Sequence, residues 1–343
     1  MSLIGELNPK RILIVKPSAI GDVVHTLPVL NLLRKRYPAA HIAWLVTPAC
    51  GGILEGHPQI DELIWFERKR AGGWIKLLKL LRADHFDLVL DLQGLFRSGL
   101  FSWMSGAKVR VGFANAREMA TLFYTHKVPV PDVNVHAMER YLDMAVAVGC
   151  ERGPVEYVFP TTDADRDRVK ALLGDDEPYA VLLPGTNWAT KRWPAEKFAA
   201  MVQPLRERFG LKTVYAGGPD ASAAAKLAPT ATDLTGKTSL RELVALLERA
   251  SLVIANDSGP MHIAAALGRP LVTLFGPTNP IRTGPFQRMD SVVRLDIPCS
   301  PCYSKHCSHQ SCLQWLGTDR VLAATAVQLK MDPTMVPVSS LLK

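Results

Sequence analysis

A chain of 343 residues, 48% of them apolar, can build two globular cores, yet no stretch approaches the roughly 18 uninterrupted apolar residues of a membrane span. Forty Lys and Arg against 32 Asp and Glu leave a net charge of +8, which favours anionic partners such as sugar nucleotides, nucleic acid or an acidic membrane surface. No aromatic platform is interleaved with the basic residues, so nucleic acid is not an expected partner. The triplets Arg34-Lys35-Arg36 and Arg68-Lys69-Arg70 read as solvated helix faces in preference to lipid patches.

The opening MSLIGELNPKRILIV lacks the charged segment, apolar core and small-residue cleavage site of a signal peptide, so a cytoplasmic protein is expected. Its apolar run, Arg11 to Val15, is a β-branched strand of the kind that parallel sheets cover on both faces. In the following KPSAIGDVVHTLP, Val23, Leu27, Leu30 and Leu33 recur at helical spacing. Gly21 is read as permitting a tight turn and Asp22 as a residue of the capped first turn, at the carboxyl end of a strand where open α/β sheets place ligands.

HIAWLVT, ELIWFE, FDLVLDLQG and VRVGF read as further strands with helices between most of them, which implies a mainly parallel sheet. After HAMERYLDMAVAVGC the segment ERGPVEYVFPTTD breaks periodicity and marks a domain boundary, giving domains 1–155 and 156–325 and a closing helix and tail, 326–343. The pattern restarts with YAVLLPG, one helix over PAEKFAAMVQPLRERFG, strands TVYAGG and TDLTG, helix SLRELVALLERA, strand LVIAND, a short helix and strand PLVTLFG. Two tandem α/β halves predict a cleft.

Two stretches of the second half carry phosphate chemistry. In VLLPGTNWATKRWP a strand ends at Gly185, and backbone N–H groups, hydroxyls and Lys191 can be aimed at a phosphate; Thr186 and Asn187 as plain turn residues and Lys191 as a solvated cation fit equally well. In NDSGPMHIAAALGRP a helix starts near Ser258-Gly259-Pro260, and its dipole suits a diphosphate. Asp257 as a helix cap and His262 as a packed histidine are the plainer alternatives.

Taken in order, KPSAIGDVVHTLP, FDLVLDLQGLFRSG, NAREMATLFY, HAMERY, PGTNWATKRWP, TGKTSLRELV and NDSGPMHIAAALGRP resemble the ADP-heptose:lipopolysaccharide heptosyltransferases over about residues 11 to 285. SAIGDVVHTLP, DLQGLFRSG and AREMATLFY are nearer to heptosyltransferase I than to heptosyltransferase II. The resemblance implies an α/β GT-B fold: two Rossmann-like domains facing across a cleft, the first for acceptor and the second for nucleotide sugar. It implies inverting transfer of heptose from ADP-heptose to a Kdo hydroxyl on the inner core of lipid A, or another anionic glycolipid acceptor, at the cytoplasmic face of the inner membrane. No cofactor is expected for catalysis.

Carried over by position, Asp22 matches the catalytic base and Lys16 a lysine near developing phosphate charge. Thr186, Asn187 and Lys191 match the diphosphate loop, Asp257, Ser258, Gly259 and His262 the sugar and pyrophosphate motif, and Lys237 and Thr238 the loop beside adenine and ribose. Arg97, Arg117 and Arg140 fall in acceptor-side motifs. The chemistry agrees: a sugar hydroxyl is a poor nucleophile, so inversion needs one base on the acceptor side and positive charge on the leaving diphosphate.

Two departures stand out. Asp220 takes a position where the family pattern has a glutamate contacting ribose. The tail PCSPCYSKHCSHQSC packs Cys299, Cys302, Cys307 and Cys312 into fifteen residues, a cluster that suits structural zinc or, less well, an iron–sulfur cluster, against reduced thiols or a disulfide. Cys50 and Cys150 are isolated packing residues. Rival readings are a heptosyltransferase II-like or other GT-B sugar-nucleotide transferase, an epimerase, and a nucleotide-sugar or lipid A binding protein without turnover. A dinucleotide dehydrogenase is disfavoured because neither half carries GxGxxG after its first strand.

Overall fold

The β-branched run Arg11–Val15 forms strand β1, buried on both faces as its composition demands, and parallel strands flank it on either side, with Ile12 opposite both Ile42 and Leu88. The computed structural model describes residues 4, 7–67, 73–132 and 134–331. Its contacts divide the chain into two units, 1–160 and 161–343.

In the first unit β1 is followed by β2 (His41–Val46), β3 (Glu62–Trp65), β4 (Leu88–Asp91), β5 (Val109–Phe113) and β6 (His126–Val128), in the order β3-β2-β1-β4-β5-β6 and all parallel. The second unit repeats that order with β7 (Tyr179–Leu183), β8 (Lys212–Tyr215), β9 (Thr232–Asp233), β10 (Leu252–Asn256), β11 (Leu271–Leu274) and β12 (Val292–Val293), arranged β12-β11-β10-β7-β8-β9. This is the doubly wound order, whose direction of winding reverses once per sheet. The reversal falls between β1 and β4 in one unit and between β7 and β10 in the other.

Helix Ile20–Arg36 buries Val23, Leu27, Leu30 and Leu33 as its periodicity predicts. In the basic triplet at its end Lys35 and Arg36 are exposed, as a solvated face requires, while Arg34 is drawn in. Arg34 donates to the carbonyls of Pro38, Ala40 and Gln59 and pairs with Asp61 at 2.6 Å, Lys35 pairs with Glu156 at 2.9 Å, and Arg36 donates to the Gly149 carbonyl. These cations close a helix C-terminus, where the dipole favours them. The second triplet, Arg68 to Arg70, lies outside the described residues.

Residues after 150 stay on the first unit, because Asn31 donates to the Glu156 carbonyl at 2.6 Å and the His57 ring meets the Val158 carbonyl at 3.1 Å. The division therefore falls after Pro160, where 155 had been expected. In the second unit the helix expected over residues 194–210 is two, Ala195–Ala200 and Val202–Phe209, because Pro204 has no N–H to offer the Ala200 carbonyl. Helix Thr318–Gln328 is no appendage: Val321, Leu322 and Ala326 enter the core formed by Trp193, Phe198 and Tyr215. The rest of the expected tail, 332–343, lies outside the described residues. Strands β6 and β12, three and two residues long, were too short to leave a pattern in the sequence. Among the described residues no helix is long and apolar enough to cross a membrane.

His57 gives the first unit a pH dependence. Its Nδ1 accepts the Gln59 N–H at 3.2 Å, so the proton sits on Nε2 and is donated to Val158. Burial holds the ring's pKa down at about 4, against the weaker opposing pull of the Val158 carbonyl. The unfolded chain takes up the proton near pH 6.5 and the folded chain only near 4, so stability is complete above 6.5 and is lost as pH falls through that window. The melting temperature should fall between pH 6.5 and 4, and His57→Gln should flatten that fall; an unaltered pH profile in the variant would overturn the assignment.

Candidate functional site

At the reversal point of the first sheet, Lys16 follows β1 and is only 2% exposed. Its ammonium donates to the Leu92 carbonyl at 2.8 Å and to the Tyr141 hydroxyl at 2.7 Å, and lies 3.7 Å from Asp22 Oδ2. Tyr141 donates its own O–H to Asp22 Oδ1 at 3.0 Å, and the Ala19 N–H donates to Oδ2 at 3.3 Å. Burial lowers the Lys16 pKa, while the charges of Asp22 and Asp91 oppose that; burial and Asp22 together push the Tyr141 phenol well up, so it remains a donor. The Asp22 side chain is 38% exposed, the one acceptor of this cluster that faces outward.

Asp22 occupies the third helical position and Ala19 the N-cap, so Asp22 is not the capping residue; it reaches back to the cap N–H. Gly21 lies inside the first helical turn, and the change of direction is made by residues 16–19. Lys16, expected near phosphate charge, is buried here with its ammonium on the Leu92 carbonyl, the Tyr141 hydroxyl and Asp22.

Asp91, at the end of β4 and fully buried, accepts from the Tyr124 hydroxyl at 2.7 Å and from the Gln93 and Gly94 N–H groups. Burial raises its pKa against those hydrogen bonds. The three acceptor-side arginines all follow strands of this sheet. Arg97 sits half-buried on helix Phe96–Met104, and Arg117 is exposed after β5 with its N–H on the Gly94 carbonyl. Arg140, beside Tyr141 on helix Ala137–Ala147, is close enough for its charge to act on both Lys16 and Tyr141.

The second unit builds its reversal point from different chemistry. Thr186, after β7, donates to the Asp257 carbonyl at 3.0 Å, and Lys191 pairs with Asp257 Oδ2 at 2.7 Å, with Thr278 donating to the same oxygen. Arg192 holds the Thr186 carbonyl through Nε and Nη2. Asp257 is thus an ion-pair partner; the residue before helix Gly259–Ala266 is Ser258, whose hydroxyl is buried without a hydrogen-bond partner among the described residues. Gly259 opens that helix, Pro260 lies in its first turn and His262 is buried on it.

Asn187 is exposed on the loop. Lys237 is exposed with its ammonium on the Asp233 carbonyl, and half-buried Thr238 follows it. Their loop is joined to the one after β8 by the Gly236 N–H on the Gly217 carbonyl. Asp220 on that neighbouring loop reaches back so that a Cβ on Gly185 would lie 2.9 Å from its Oδ2, and it is 3.7 Å from Arg192. The candidates of the second half therefore share one edge of their sheet.

The cysteine tail borders this loop. Thr190 donates to the Ser304 carbonyl at 2.8 Å, and the Trp188 ring carries Lys191 at 4.7 Å and Lys305 at 5.0 Å from its centroid. Cys299, Cys302, Cys307 and Cys312 are free thiols; burial first, and then the nearby charges of the other three, push the Cys312 thiol up. Among the described residues, however, no three His, Cys, Asp or Glu side chains are placed to hold a metal ion as they stand.

The model of glycosyltransferase family 9 (heptosyltransferase) matches residues 74–313. The chain belongs to this family. It is 31% identical over 319 residues to lipopolysaccharide heptosyltransferase 1 of Pseudomonas aeruginosa, covering 88% of each chain. Among solved structures, the family 9 glycosyltransferase of Veillonella parvula superposes with a TM-score of 0.81 at 28% identity, covering 96% of this chain and 99% of that one. Escherichia coli heptosyltransferase WaaC with ADP gives 0.71 at 27% identity, covering 93% and 98%.

This chain is accordingly a glycosyltransferase built from the two Rossmann-like units of the GT-B fold. Sequence reasoning missed Tyr141, Asp91, Tyr124 and Lys305. Tyr141 and Tyr124 lay inside quoted motifs but pass for core aromatics, and Asp91 was visible only as a carboxylate ending an apolar strand.

Lys191 holds Asp257 in this geometry, and the diphosphate contact expected of it can be separated from that ion pair. Its side chain is 16% exposed and that of Asp257 6%, so Lys191→Ala strands a buried carboxylate, at a cost of about 3–5 kcal/mol. The variant should melt several degrees lower and bind a nucleoside diphosphate more weakly. Adding Asp257→Asn should restore the melting temperature but not the affinity. Recovery of both would reduce Lys191 to a counter-ion for Asp257.

Proposed function

We propose that this glycosyltransferase moves heptose from ADP-heptose to a Kdo hydroxyl of the lipopolysaccharide inner core with inversion, in the manner of heptosyltransferase I. The observation that carries the reading is Asp22, a carboxylate oriented by Tyr141, Lys16 and the Ala19 N–H yet still open to a ligand. An acceptor hydroxyl attacking the anomeric carbon must lose its proton as the C–O bond forms, and a held carboxylate is the group to take it. The leaving ADP gains negative charge on its β-phosphate, which a cationic loop stabilises. Lys191, with Thr186, Asn187 and the N-terminus of helix Gly259–Ala266, is such a loop, and Lys305 adds charge beside it. Lys237, Thr238 and Asp220 on the neighbouring loops suit the nucleoside.

Association with an anionic membrane surface completes the reading. Phe96, Trp103, Met119 and Leu122 are 43%, 52%, 65% and 74% exposed, and the Phe123 ring joins Phe96 and Trp103 into one patch. Ile75 stands 63% exposed beside Lys76 and Lys79 on helix Gly73–Ala83, which packs on helix Phe96–Met104. Exposed aromatics with lysines suit a bilayer interface.

Structural zinc at Cys299, Cys302, Cys307 and Cys312 is a separate proposal, supported by the shared neighbourhood of the four sulfurs; binding would draw them together and favour a Cys312 thiolate. Protein purified without chelator should then carry close to one equivalent of metal and melt lower after chelation. Metal-free protein whose melting temperature is indifferent to chelator would make the tail ordinary packing.

The transfer itself is tested by incubating the protein with ADP-heptose and Kdo-lipid A and seeking a heptose mass increment. Asp22→Asn cannot accept a proton but keeps the shape and the hydrogen bond from Ala19. It should bind ADP-heptose nearly as the parent does while turnover falls by roughly 10²- to 10⁴-fold. A folded variant with parental turnover would send the search for the base elsewhere.

A further inference from the structure

The edge of the first sheet opposite Asp22 holds a cavity of about 450 Å³, a size that suits a small molecule. It is lined by residues 7–9 ahead of β1, by Arg82, His85 and Asp87 ahead of β4, and by Gly106 and Lys108 ahead of β5. All three strands start at this edge, whereas Asp22 follows the far end of β1. The cavity therefore has no part in the transfer described above.

Its charge is unevenly placed. Asp87 Oδ2 accepts the Lys10 and Arg11 N–H groups at 2.7 and 2.9 Å, which ties the carboxylate to the β1 side and leaves Oδ1 without a hydrogen bond among the described residues. The cations lie toward β5. Lys108 stands opposite Asp87 on the next strand, since Leu88 is in register with Val109, and neighbouring strands run about 4.8 Å apart. Arg82 reaches over from the end of helix Gly73–Ala83 to lie against Gly106, where a Cβ would collide with its Nη1; Gly106 also holds a φ of +73° that favours glycine.

Among the described residues no hydrogen bond or ion pair engages Arg82, His85 or Lys108, and none joins Asp87 to either cation. Opposite charges this near would pair if both were free to move. Asp87 is held back by its two N–H donors, and the Arg82 guanidinium has its seat on Gly106. The cavity thus keeps a positive and a negative pole apart, both open to solvent.

We propose that this cavity binds a phosphate ester of a short amino alcohol, with the phosphate between Arg82 and Lys108 and the ammonium on Asp87 Oδ1. A two-carbon alcohol spans the gap of one strand spacing. The guanidinium fork takes two phosphate oxygens and the Lys108 ammonium another, as charge-assisted bonds. A lipid headgroup and a free phosphoester share this chemistry. The surroundings favour the lipid: helices Gly73–Ala83 and Phe96–Met104 both end at the cavity and expose Ile75, Leu80 and Trp103 by 63%, 37% and 52%. An exposed tryptophan beside a headgroup site suits a bilayer interface.

Calorimetric titration in saturating ADP, which occupies the phosphate loop of the second unit, should compare O-phosphoethanolamine with ethyl phosphate. The parent should bind the first roughly 10-fold more tightly, because only it carries the ammonium. Asp87→Asn, whose amide keeps an oxygen for the Lys10 and Arg11 N–H groups, should erase that difference. R82Q/K108Q should weaken both ligands by roughly 10-fold or more.

Co-sedimentation with phosphatidylcholine vesicles, with and without phosphatidylethanolamine, separates the two sources. R208Q/K226Q, which removes two exposed cations from the second unit, is the control for net charge. A preference for phosphatidylethanolamine that R82Q/K108Q loses and R208Q/K226Q keeps assigns the site to a lipid. Soluble binding without that preference assigns it to a free phosphoester. Equal affinity of the parent for the two soluble ligands, R82Q/K108Q protein that binds as the parent does, or no binding in either arm overturns the proposal.

Discussion

A buried ammonium at the point where a sheet reverses its winding is the constraint around which the first unit is arranged. Lys16 cannot remain charged in an apolar interior without close partners, and desolvation alone would drive its proton off. The Leu92 carbonyl, the Tyr141 hydroxyl and two carboxylates supply what burial removes. Each partner comes from a different element: Leu92 follows β4, Tyr141 lies on helix Ala137–Ala147 and Asp22 on helix Ile20–Arg36. Holding the lysine therefore orders the ends of β1 and β4 and the entry of two helices at once. Asp91 and Tyr124 extend the same arrangement toward β5 and the loop that follows it. Asp22 gains its fixed orientation from this network while its own carboxylate stays partly open.

The two units answer one topological question with different chemistry. In both, the gap between the first and fourth strands leaves backbone ends with no neighbouring loop packed over them, which is why ligands collect there. The first unit fills its gap with a buried cation and presents a carboxylate. The second places a carboxylate, Asp257, deeper and presents a cation, Lys191. The signs are opposite, and each suits one half of an inverting transfer, a proton acceptor for the nucleophile and positive charge for the leaving group. A shared fold supplied the positions, and the residues at them set the sign of the charge that each presents.

Much of this was legible in the sequence where the signal was periodic or clustered. The strand Arg11 to Val15, the apolar stripe of Val23, Leu27, Leu30 and Leu33, and the polar loops after β7 and β10 all have local patterns that survive in the structure. What escaped was decided by long-range contact. Tyr141 meets Lys16 across 125 positions of sequence, and nothing in HAMERY separates a bridging phenol from a packed one. Within the triplet Arg34-Lys35-Arg36, only Arg34 departs from a solvated face, because the Gln59 carbonyl and the Asp61 carboxylate that engage it are brought to it by folding alone. Pro204 was misjudged for a simpler reason: its amphipathic surroundings outweighed the missing N–H.

The cysteine tail is the region where composition invites a metal and where folding brings neighbours that composition does not announce. Ser304 fixes Thr190 inside the short turn that carries Lys191, and Lys305 shares the Trp188 ring with Lys191. Two ammonium groups beside one indole repel each other, and the ring's own attraction for each and the Asp257 carboxylate offset that repulsion. An incoming diphosphate would relieve it further. Cys312, packed beside Gly276, ties the far end of this segment to the second unit's core. The tail thereby meets the loop that carries Lys191 through Ser304 and Lys305, and a change in the tail reaches that loop through these two contacts.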